Sequence, residues 1–196
     1  MSFENFLRAI EAPALRDIAL HWNAARGTKR MPAWKDIKPE AIAPYLGIIW
    51  SWIYDRDTDS FTGRLAGEDI IAAFGQTLRG KPMAVFFARM HYETIFARHR
   101  RVVTEPAFAH GQGAVFIHAD RYGQGERIIM PLASDGIQGD GIFGATVYPL
   151  KPNAEAGDVP REYLAAEQVD FFPLDGSPAG KSGDESGDIG HSGRAP

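Results

Sequence analysis

Residues 47–54 read Gly-Ile-Ile-Trp-Ser-Trp-Ile-Tyr, and no other stretch narrows the fold so much. Alternation puts Ile48, Trp50, Trp52 and Tyr54 on one face of a strand and Ile49, Ser51 and Ile53 on the other. Both faces carry apolar groups, so this strand needs cover on two sides. Asp55 to Ser60 supplies a hairpin turn into a second, shorter strand, Phe61 to Gly67.

The segments around this pair supply the cover. Leu15, Ile18, Ala19 and Trp22 recur at helical spacing, with Pro13 suited to the helix start and Gly27 to its end. A basic connection, Thr28 to Pro32, precedes a short helix opened by Asp36, Pro39 and Glu40 and stopped near Pro44. After the hairpin, Glu68 and Asp69 open a short helix that Gly75 ends. Beyond the breaker Gly80-Lys81-Pro82, a long helix is predicted over Met83 to Val103, with Ala88, Tyr92, Ile95, Phe96, His99 and Val103 on one stripe.

From Pro106 the pattern changes to period two. Val115, Ile117 and Ala119 alternate with Phe116, His118 and Asp120; a turn at Gly123-Gln124-Gly125 leads into Arg127 to Ser134, and one at Asp135 to Asp140 into Gly141 to Leu150. This is a three-stranded antiparallel meander. The chain thus divides into a helical cap over 1–46, a core over 47–150, an extension over 151–175 and a disordered tail over 176–196. Within the extension, Arg161 to Val169 is the one helix candidate.

Composition removes whole classes of chemistry. With no cysteine, the chain can form no disulfide, thiolate metal site or cysteinyl cofactor adduct. A net charge of −4 gives no basic field for nucleic acid or anionic lipid. No run of about 18 apolar residues occurs, and MSFENFLRAI lacks the pattern of a secretory signal. The expectation is a cytoplasmic protein with neither nucleic-acid nor membrane partners.

The order of helical cap, two strands, short helix, long helix and three antiparallel strands resembles a PAS domain. Trp22, Arg30-Met31-Pro32, Asp36-Ile37 before Pro39, Leu46, the FTGRLAG of Phe61 to Gly67, and Gly75 followed by Leu78-Arg79-Gly80 are similar to a bacterial family of small stand-alone PAS-domain proteins. The resemblance spans Leu15 to Leu150. It implies an α+β fold with a five-stranded antiparallel sheet in the order 2-1-5-4-3, helices on one face enclosing a cavity, and the N-terminal cap. It also implies a sensor or adaptor without catalysis of its own, binding an unidentified small molecule, a signalling protein or both. Its cofactor is unknown. A homodimer through the N-terminal helix is expected, because relatives pair through flanking helices. The expected lining of the cavity is Trp50, Trp52, Phe74, Met90, Tyr92, Phe96 and His99.

Other readings compete. His91 and His99 lie where heme-binding PAS domains carry an axial histidine, although a core or boundary histidine is the commoner case. His110, His118, Asp120 and Glu126 could be drawn together for metal or acid–base work, but their spacing matches no zinc signature. Lys29-Arg30 and Arg98 to Arg101 could meet an anionic partner, whereas such runs are more often solvated. A small cone-shaped isomerase or hydrolase using a pocket His/Asp pair is the alternative function. An interaction protein with no cavity is the third.

Overall fold

The computed structural model describes residues 2–87, 89–118, 121–148, 167–177 and 180–181. Helices α1 (Ser2–Ala9) and α2 (Pro13–Arg26) lead through 3-10 turns at Trp34–Asp36 and Pro39–Ile48 into strands β1 (Ile49–Asp55) and β2 (Ser60–Ala66). Helix α3 (Glu68–Phe74), a 3-10 turn at Met83–Val85 and helix α4 (Arg89–Thr104) follow. Strands β3 (Ala107–His118), β4 (Arg121–Leu132), β5 (Gly141–Val147), β6 (Gln168–Pro173) and β7 (Gly180–Lys181) complete the described chain. No helix among the described residues is long and apolar enough to cross a membrane.

All strands join one sheet in the order β2-β1-β5-β4-β3-β6-β7. Every neighbouring pair is antiparallel. The first five strands stand in the expected order 2-1-5-4-3, and β6 and β7 extend the β3 edge. Strand alternation splits the core in two. Phe108, Ile128, Met130, Phe143 and Ala145 pack with Phe6 and the α2 residues, while Trp50, Trp52, Ala109, Ile129 and Ile142 pack with Ile70 of α3 and Ile95, Val102 and Val103 of α4. Helices therefore cover both faces: the N-terminal cap on one, α3 and α4 on the other.

The α2 stripe is spent inside the chain. Leu15, Ile18, Ala19 and Trp22 are fully buried. The Trp22 ring meets Phe108 edge-on at 5.0 Å and its Nε1–H donates to the Pro131 carbonyl at 2.9 Å. Helix α2 has no side chain of its own capping its N-terminus. Instead, the Glu126 carboxylate on β4 accepts the N–H groups of Glu11 and Ala12, each at 2.7 Å, just before the helix.

Five features depart from the sequence expectations. Helix α4 begins at Arg89 rather than Met83, because Pro82 opens a separate turn at Met83–Val85 and Phe86 and Phe87 swing toward Phe74. The stretch Gly123-Gln124-Gly125, read as a turn, lies within β4, where Gly125 pairs with Gly113 and Gly123 with Phe116. Glycines stack opposite one another there instead of bending the chain. The end of the Arg161–Val169 helix candidate is strand: Val169 pairs with Gly111, and its alternation with Phe171 faces the α4 side. The start of that candidate lies outside the described residues. Finally, the tail expected over 176–196 contributes Gly180 and Lys181, paired with Phe171 and Asp170, and the sheet reaches seven strands rather than five.

Candidate functional site

A cavity of about 20 Å³ lies between the sheet and the α3–α4 layer. That is room for about one water molecule, far below the roughly 300–1,000 Å³ of pockets that bury a drug-sized ligand. Its walls are aromatic. Trp50 and Trp52 rise from β1, Ile70 and Phe74 descend from α3, and Leu78 and Phe87 close the side. Phe74 meets Phe86 and Phe87 edge-on at 5.6 and 5.8 Å, and Trp52 meets Phe86 at 5.6 Å. Gly144 makes room for the Trp50 indole: a Cβ there would lie 2.3 Å from the ring.

The far end is polar, built by His99, Arg127, Thr146 and Tyr148. Trp50 Nε1–H donates to Thr146 Oγ1 at 2.8 Å. Burial is the main cause of the raised pKa of Tyr148, and Arg127 and Thr146 beside its hydroxyl oppose that rise. His99 lies 5.5 Å from the Trp50 ring and is buried. Its Nδ1 sits 2.7 Å from the Ile95 carbonyl, which can only accept, so Nδ1 carries the proton and Nε2 is the ring's acceptor. Burial, with Arg127 and Arg98 adding to it, lowers the His99 pKa to about 3. A ring this weakly basic is a poor general base, and among the described residues its hydrogen-bond partner is the Ile95 carbonyl rather than a carboxylate.

The depressed pKa carries a pH signature. The unfolded state binds a proton below about 6.5 that folded His99 refuses down to about 3, so stability is full above that window and falls as pH drops through it. Between pH 6 and pH 4 this one group should remove about 1 kcal/mol per pH unit. Urea titrations of the wild type and of His99→Gln at several pH values should show a shallower acid decline in the variant. Parallel declines would place the acid sensitivity elsewhere.

Beyond the cavity wall lies an ion cluster. Arg98 on α4 and Arg127 on β4 flank Glu167, which immediately precedes β6, at 3.0 and 3.7 Å. All three side chains are largely buried. The Arg98 guanidinium also donates to the Glu167 carbonyl at 3.2 Å.

The cavity thus brings together Trp50, Trp52, Phe74 and His99. Tyr92 and Phe96 stand beside it, 5.5 Å apart, with Phe96 against Phe61. The Met90 side chain lies outside the described residues, as do those of His118 and Asp120. His110 and Glu126 do meet, with Nε2 2.7 Å from Oε1, but on the cap face where Glu126 holds the entry to α2. No group of three metal-ligating side chains occurs among the described residues. The arginine run makes contacts within the chain: buried Arg98 serves Glu167, half-exposed Arg100 binds Asp59 at 2.8 Å, and Arg101 lies over the Phe171 ring at 4.2 Å. Sequence reasoning missed Arg127, Thr146 and Tyr148. The signal was present, since Thr146 and Tyr148 share the face of Ile142 and Gly144, and Arg127 that of Ile129.

Comparison with known proteins agrees with this architecture. Residues 10–147 match the model of a family described as PAS domain. No curated protein and no solved structure matches the chain.

Proposed function

We propose that this chain, which belongs to the PAS domain family, is a sensory module whose signal is a small molecule taken up between α3, α4 and the sheet. The observation that carries this reading is the aromatic-walled cavity with a polar end built by His99, Thr146, Tyr148 and Arg127. At about 20 Å³ it is the closed form, and a ligand larger than water enters only if the layer around Phe74 and Phe87 moves outward. That movement is the output. It shifts α3 and the Met83–Val85 turn, where Val85 is 55 % exposed, and so alters the surface offered to a signalling protein.

The module performs no chemistry on its ligand. A hydrolase or isomerase at this cavity would pair His99 with a carboxylate, and neither Asp nor Glu is among the described residues that line it. A homodimer through α2 would use Leu20, 47 % exposed, since Leu15 and Trp22 serve the chain's own core.

Thermal shift and native mass spectrometry of the full chain against a metabolite panel test the reading. The expected result is a compound that raises Tm, adds one equivalent of mass and perturbs tryptophan fluorescence through Trp50 and Trp52. If no compound does so, and a partner protein binds the untreated chain, the domain is an interaction module with a filled core.

A further inference from the structure

His99 brings to the cavity a lone pair that the fold leaves unused. The residue is only 3 % exposed, and its ring lines the cavity. Its Nδ1–H is committed to the Ile95 carbonyl, one turn back on α4, at 2.7 Å. Nε2, on the far side of the ring, is therefore the nitrogen left for the cavity, and no described residue donates to it. The donors nearby are spent elsewhere: Trp50 Nε1–H goes to Thr146 Oγ1 at 2.8 Å, and the Arg98 guanidinium to Glu167 at 3.0 Å. A buried acceptor without a donor is costly, so this nitrogen favours an occupant that supplies one.

Charge narrows the kind of donor. Arg127 and Arg98 both disfavour positive charge at the His99 ring, which opposes an ammonium group there. A carboxylate or a phenolate offers lone pairs but no proton for Nε2. What remains is an uncharged O–H or N–H. The walls narrow the body that carries it: Trp50, Trp52, Phe74 and Phe87 present ring faces and edges, which suit a flat aromatic ring. The wall that must yield to such a ring stands at a helix end, since Phe74 closes the seven-residue α3 and Gly75 behind it is left-handed at φ 67°.

We propose that the cavity binds an uncharged aromatic molecule bearing a hydroxyl, a phenol, whose O–H donates to His99 Nε2 while its ring lies among Trp50, Trp52 and Phe74. The existing space of about 20 Å³ takes the hydroxyl, and the ring takes the room opened as Phe74 and Phe87 move outward. This deepens the sensory reading and rests on it.

Calorimetric titration of the full chain at neutral pH with phenol and with toluene, which carries a methyl in place of the hydroxyl, tests the proposal. Phenol is un-ionised under these conditions. A purely apolar pocket favours toluene, so the order of the two affinities is the readout. Phenol should bind roughly fivefold more tightly or better, because toluene leaves Nε2 buried and unpaired. In His99→Leu the order should reverse. In protein with nitrogen-15-labelled histidine, phenol should move the His99 Nε2 resonance upfield, as accepting a hydrogen bond does, and toluene should leave it in place.

Toluene binding as tightly as phenol, or more so, overturns the proposal and leaves the sensory reading standing with an apolar ligand. Tighter phenol binding with an unmoved Nε2 resonance also overturns it, since the hydroxyl then bonds elsewhere. An unchanged preference in folded His99→Leu does the same; should that variant fail to fold, the Nε2 shift in the wild type decides alone. If neither compound binds, the phenol site falls, and the metabolite panel decides whether the cavity senses anything.

Discussion

Trp22→Ala is expected to cost about 3–5 kcal/mol, a large part of the roughly 5–15 kcal/mol that holds a domain of this kind together. The side chain is fully buried against Phe108 and bonded to the Pro131 carbonyl. Removing the indole opens a cavity on the cap face and leaves a buried carbonyl without its donor. Trp22→Phe separates the two contributions: it keeps most of the apolar volume, loses the hydrogen bond and should cost about 1–2 kcal/mol. Urea unfolding of both variants measures the difference. A loss under about 1 kcal/mol for Trp22→Ala would mean that α2 is not docked on the sheet in solution. Because the cap lies on the opposite face from the cavity, whatever ligand the wild type binds should bind the folded fraction of either variant unchanged.

Glu126→Ala should be the second costly change, at about 2–4 kcal/mol. Its carboxylate accepts from the Glu11 and Ala12 N–H groups and from His110 Nε2, all at 2.7 Å, and its side chain is 11 % exposed. Each buried donor left without an acceptor costs roughly 1–3 kcal/mol. Water reaching the exposed edge recovers part of that, which is why the expected total stays below the sum. The local signature is specific. Amide exchange at Glu11 and Ala12 should accelerate while the amides of β1 and β5 keep their protection, because the lesion frees the cap from a sheet that stays intact. Uniform acceleration over cap and sheet would show instead that Glu126 supports the whole domain and not only the entry of α2.

Both predictions concern a face that local pattern had largely specified. The α2 stripe of Leu15, Ile18, Ala19 and Trp22 follows from helical spacing alone, and its ends follow from Pro13 and Gly27. The same holds for β1, for the Asp-rich hairpin into β2 and for α3 between its acidic start and Gly75. Strand order came from resemblance rather than from any residue pattern. In two of the places where pattern misled, glycine and proline were the reason: Gly123 and Gly125 extend a strand here, and Pro82 starts a turn that delays α4. A glycine permits a bend without requiring one, and only its neighbours decide.

The candidate site divides the same way. Trp50, Trp52, Phe74 and His99 could be placed near a cavity because each sits on an apolar stripe of its own element. Arg127 and Tyr148 were passed over although alternation gives their face, since a charged or phenolic residue there reads equally well as solvent-facing, and Glu167 precedes its strand with no pattern to place it. Sequence by itself determined the apolar stripes of α2, β1 and α4 and the hairpin between β1 and β2, because helical and strand periodicities are local properties of the backbone. Only the tertiary structure decided that β6 closes on β3, that Glu167 meets two arginines from different elements, and that the cavity keeps room for about one water. Those outcomes depend on which distant side chains fill the same space, and close packing settles that only when every element is in place.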